Sequence, residues 1–215
     1  MNKIKTKWAF VLALTLLIGF APSVSAQVAD KQPDCISPAM VRLREDMQKV
    51  WIDHTIWTRS YIVSAISKRP DQQAVLERLL RNQQEIGDVI KPYYGEAAGN
   101  KLADLLKEHI MIAVKIVEAA AAGNQANVEK FQKDWHRNAD VIAKFLSDAN
   151  PHWQFRQLQD MLYTHLQLIT EIVVSCLQGN WEADIAATDK NEIHMIHLAN
   201  ILTDGIVKQF PKQFL

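Results

Sequence analysis

The chain has 215 residues, and its 24 Lys and Arg offset its 24 Asp and Glu. Without a strong field of one sign, nucleic acid is not an expected partner. Seven Gly, seven Pro and two Cys supply neither a glycine-rich phosphate loop nor a cysteine-rich metal framework, and the composition favours helices.

Residues 1–26 read as a secretory signal peptide. Lys3, Lys5 and Lys7 precede an apolar run from Trp8 to Phe20, and Val24-Ser25-Ala26 places small residues where a signal peptidase needs them. The run is shorter than the ~20 residues that span a bilayer. Cleavage after Ala26 would leave 21 basic and 24 acidic residues, in a protein secreted or held in the cell envelope with no membrane association of its own. Residues 27–37 read as a tail and 38–211 as one domain. An oxidising compartment would allow Cys35 and Cys176 to bridge that tail to a late helix. The alternative is two thiols, one of them in the core.

From Ser37 onward apolar residues recur at steps of three and four, which predicts an all-α fold. Ser37-Pro38, Pro70-Asp71, Gly95 to Gly99, Gly123-Asn124, Asn150-Pro151 and Gly179-Asn180 mark boundaries. They divide the domain into six helices, near 38–67, 71–91, 97–122, 125–148, 151–178 and 182–208. Gly123-Asn124 returns 56 residues later as Gly179-Asn180, and Leu105 to His109 matches Met161 to His165. His54 precedes His109 by 55. The expected architecture is therefore a six-helix bundle of three sequential hairpins with a repeat of about 56 residues.

The apolar stripes carry polar interruptions at matching heights. His54 lies between Val50 and Trp57, His109 between Leu105 and Ile112, and His165 between Met161 and Leu168. Asn82 and Asn138 hold the corresponding place on the intervening helices, and a step of 56 from Asn138 reaches His194, with His197 one turn further on. Buried imidazoles and carboxamides without partners cost on the order of 1–3 kcal/mol each. One reading is a satisfied network that fixes hairpin register. The other is a ligand site at His54, Asn82, His109, Asn138 and His165, or a transition-metal site built from His54, His109, His165, His194 and His197. No Glu-x-x-His or His-Glu-x-x-His pattern occurs, and Gly-x-Ser-x-Gly and Walker loops are missing too. Catalytic residues are therefore not assigned.

The strings WIDHTIWTR (51–59), RLLRN (78–82), KPYYG (91–95), WHRNADVIAKFLSDANP (135–151), MLYTHL (161–166) and GIVKQFP (205–211) resemble a family of small helical proteins of Bacillus-like bacteria, often labelled acetylglutamate kinase or glycosyltransferase. The resemblance implies that His54, Asn82, His109, Asn138 and His165 belong to the family pattern and that His194 and His197 do not. The kinase label would imply an α/β fold with a glycine-rich nucleotide site, and the sequence shows neither the strand pattern nor the glycine-rich loop that these need. The expected function is binding of a small ligand or protein partner through the polar level. The alternatives are a metal-dependent protein using the same histidines and a structural envelope or spore protein.

Overall fold

A computed structural model describes residues 37–215. The helices are α1 (Pro38–Ile66), α2 (Gln72–Ala121), α3 (Gln125–Ala149), α4 (Phe155–Gln178) and α5 (Trp181–Gln209), followed by a 3-10 turn over Pro211–Phe214. Among the described residues there is no strand, and no helix is long and apolar enough to cross a membrane. The signal peptide, the tail as far as Ile36, and Cys35 lie outside the described residues.

Local chemistry accounts for most helix ends. The Ser37 hydroxyl accepts from the Met40 amide and Pro38 fills the first turn of α1. Gly123 and Gly179 take φ of 67° and 66°, the left-handed conformation that lets a helix stop. Asn124 and Asn180 follow at once and cap α3 and α5, accepting from the Asn127 and Ala183 amides at 3.1 Å. The two Gly-Asn pairs recognised in the sequence thus build the same two-residue turn.

The expected count of six helices becomes five, because the break foreseen at Gly95 to Gly99 narrows to one residue. Gly95 alone leaves helical geometry, at φ 83° and ψ 167°, and the helix continues on both sides of it. The two arms of α2 nevertheless lie side by side, since Gln84 bonds both Asn100 and Lys107. Their approach requires glycine: a Cβ added at Gly87 would fall 2.3 Å from the Gly99 carbonyl oxygen. The boundary expected at Asn150-Pro151 also moves. Pro151 opens a turn, and α4 begins at Phe155.

Arg44 to Asp204, Gln48 to Asn200 and Arg59 to Asp184 are paired across α1 and α5. Residue numbers rise on one helix as they fall on the other, so the two run antiparallel. Short connections impose the same alternation elsewhere. With α1 on α2, α2 on α3, α3 on α4, α4 on α5 and α5 back on α1, the helices form a closed ring around one core. At the end where α2 turns, Tyr93, Tyr94, Trp153, Phe210 and Phe214 fill the interior. The Tyr94 hydroxyl there donates to Gln209 and accepts from Asn150.

A histidine layer beneath an apolar cavity

His54, His109 and His165 are all buried, at 2–3% exposure. Their rings converge, with centroids 5.4 Å apart for His54 and His165 and 6.3 Å for His109 and His165. Helical spacing carries them there, because each falls at mid-height on the apolar stripe of α1, of the second arm of α2, or of α4.

Around each histidine the same carbonyl is used. The carbonyl four residues before it accepts a side-chain donor from the neighbouring helix: Val50 from Asn82 at 2.9 Å, Leu105 from Asn138 at 3.3 Å, and Met161 from His194 at 2.7 Å. Asn138 also turns its Oδ1 to His109 Nδ1 at 2.7 Å, so this Nδ1 carries the proton and donates. In the last pair the two tasks are divided. His194 reaches the Met161 carbonyl, while Asn191 accepts from His165 Nδ1 at 2.7 Å. The step of 56 residues found the first of these groups and missed the second. Asn191 is three residues before His194 and therefore on the same helical face, which was the available signal. The first pair is less complete, since Asn82 Oδ1 accepts from Gln83 and His54 Nδ1 has no partner among the described residues.

Burial is the main reason these imidazoles are neutral. It brings His109 down to about 3 and His165 to about 4, and it holds His54 well below the ordinary value, with the neighbouring imidazoles adding to the depression of His54 and His109. Neutral imidazoles are suited to metals, yet the proposed metal set is not assembled. Among the described residues no three His, Cys, Asp or Glu side chains are placed to hold one ion. Asn138 and Asn191 occupy two of the Nδ1 atoms, His194 is turned to a backbone carbonyl, and His197 is exposed.

One helical turn beyond the layer the packing opens. Thr58, Ala113 and Ile169 each follow a layer histidine by four residues, and all three line a cavity of about 370 Å³. Its walls are mostly apolar, with Ile62, Leu79, Val114, Val117 and Val173 among them, and Gly123, Asn124, Val174 and Leu177 form an exposed rim. Thr58 Oγ1, Tyr61 Oη and Trp135 Nε1, all on buried wall residues, have no hydrogen-bond partner among the described residues. Gln72 lies beside the Tyr61 hydroxyl without hydrogen-bond geometry. The Trp135 ring joins the two regions, since its centroid is 5.1 Å from that of His109.

Sequence reasoning passed over a second polar feature. Asp184 is fully buried in the first turn of α5 and is held by Arg59 through two bonds, of 3.1 and 2.5 Å. Cys176 is buried beside it, and desolvation followed by the Asp184 carboxylate raises its thiol to about 11, which suits a core thiol and not a nucleophile. Lys115 lies over the Phe131 ring, and Glu171 accepts from Gln167.

No known protein-family model, curated protein or solved structure matches the chain.

Proposed function

We propose that this is an exported binding protein that takes a small, mainly apolar ligand into the cavity at the Gly-Asn end of the bundle. The observation that carries this reading is a void bordered by buried polar atoms without partners. Well-packed interiors close voids of this size and pair their polar groups. A semi-enclosed apolar space with a few convergent polar groups is the usual form of a ligand site. The histidine and asparagine layer beneath it holds the helices in register and gives the cavity a rigid floor. The placement outside the cytoplasm rests on the charged, apolar and small-residue segments of residues 1–26.

The common use of a carbonyl four residues before each layer histidine, together with the paired Gly-Asn turns, favours an origin by threefold duplication of a helical hairpin. In that reading the cavity lies where three equivalent helices fill space unequally, with Thr58, Ala113 and Ile169 at matching positions.

The neutral fluorescent probe N-phenyl-1-naphthylamine tests the binding reading. Saturable one-to-one binding with a blue-shifted emission is expected, and Ala113→Trp, which fills the cavity, should abolish it. Non-saturable binding, or binding that survives Ala113→Trp in a folded variant, would reject the reading.

A further inference from the structure

We propose that the natural ligand of the cavity is an uncharged, largely hydrocarbon molecule bearing a hydrogen-bonding oxygen, of the class of medium-chain alcohols and ketones. This inference rests on the ligand-binding reading above and makes it chemically specific.

Charge is excluded by the walls. None of the described residues lining the cavity is Asp, Glu, Lys, Arg or His. The nearby cations are directed elsewhere: the Arg59 guanidinium is bound to Asp184, and the Lys115 ammonium lies 5.8 Å from the Phe131 ring centroid. A carboxylate entering this space would give up its hydration without gaining a counter-charge, and an ammonium would find only Glu118, an exposed carboxylate outside the lining; either is far more costly than moving a neutral oxygen. A fatty-acid anion or an alkylamine is therefore the wrong ligand, although its chain would suit the apolar lining.

The oxygen is required by the polar atoms of the walls. An indole N–H only donates, so Trp135 can be satisfied only by an acceptor. The hydroxyls of Thr58 and Tyr61 both donate and accept, and either can bond a carbonyl or an alcohol. These three groups come from α1 and α3 on buried stretches of the wall, whereas the other polar liners include Asn124 and Gln125 at the exposed rim. A pure hydrocarbon would fill the void and leave the three atoms unpaired. Water answers their need poorly, because a buried water requires two to four polar partners in reach and, apart from these three groups, the fully buried stretches of the wall are apolar. A ligand with its oxygen inward and its chain along Ile62, Val117 and Val173 would satisfy both kinds of surface.

Competition against N-phenyl-1-naphthylamine at pH 7.5 tests this, with 1-octanol, octanoate, octylammonium and toluene as competitors. Octanol should displace the probe at a concentration at least about tenfold lower than either ion. Trp135→Phe and Tyr61→Phe, which each remove one polar group and keep a ring, should weaken octanol severalfold and leave toluene unchanged. Displacement by octanoate or octylammonium as effective as that by octanol would overturn the inference and spare the binding reading. Equal effects of both substitutions on octanol and toluene would likewise overturn the role of the oxygen. Failure of the probe and of all four competitors to bind would overturn both.

Discussion

Two adjacent levels of the bundle use the same helices to opposite ends. At the height of His54, His109 and His165 polar side chains bond from helix to helix in a dense layer, with His54 Nδ1, Gln83 Oε1, His109 Nε2 and Asn191 Nδ2 left without partners among the described residues. One turn higher, where Thr58, Ala113 and Ile169 follow on the same faces, the interior is apolar and partly empty. The difference comes from side-chain size and bonding. Imidazoles linked to carboxamides fill space and fix distances between helices, while a threonine, an alanine and an isoleucine at equivalent positions leave a gap that the locked helices cannot close. Rigidity in one level thus maintains a void in the next.

Acid should damage the layer far more than the cavity. The unfolded chain takes up protons on these histidines near pH 6.5, whereas folded His109 and His165 do so only near 3 and 4. Their contribution to stability is thus complete above about pH 6.5 and is lost as the pH falls toward the folded values. By pH 4 each of these two groups should have withdrawn about 3 kcal/mol, with His54 adding loss of the same sign. Urea midpoints between pH 7.5 and 4 would measure this. A constant midpoint would show that the imidazoles are not desolvated.

Substitutions within the layer should sharpen the contrast among its pairs. Asn138 serves two buried partners, the His109 ring and the Leu105 carbonyl. Asn138→Leu should therefore cost about 2–3 kcal/mol. Asn82 reaches only the Val50 carbonyl on a neighbouring helix, so Asn82→Leu should cost about 1–2 kcal/mol. Equal losses in chemical denaturation would mean that the first pair is as fully bonded as the second.

The smallest effect belongs to the cavity wall. Thr58→Val removes a hydroxyl that has no partner among the described residues, and its effect on stability should lie within about 0.5 kcal/mol of zero. A loss of 2 kcal/mol or more in the same titration, about the cost of stranding a buried polar group, would show that this hydroxyl is bonded in solution and that the upper level resembles the layer.

Helix content and most boundaries could be read from the sequence because they depend on local features: a serine cap before Pro38, the Gly-Asn pairs, and apolar steps of three and four. The layer was legible for a related reason. A histidine in the middle of an apolar stripe is unusual, and helical geometry then dictates which way it points. Asn191 escaped notice because counting by 56 led to His194, although both lie on one face of α5. His197, only three residues past His194, is exposed, since the buried stripe there continues through Met195 and Leu198. Asp184 was missed because its burial depends on Arg59 arriving from α1, a contact between elements 125 residues apart. The cavity had no sequence signature, since Val114, Val117 and Val173 look like any core residues. A void is a property of how side chains fail to fill space together, and spacing along one helix does not record it.

The most direct test of the layered account is a two-dimensional 1H–15N spectrum of the protein titrated with 1-octanol. The account predicts shifts in the Trp135 indole N–H and in amides of the Thr58–Ile62, Ala113–Val117 and Ile169–Val173 stretches, while the side-chain amides of Asn82, Asn138 and Asn191 hold their positions. Shifts concentrated at the aromatic end around Tyr94 and Trp153, or no saturable shift at any site, would contradict it.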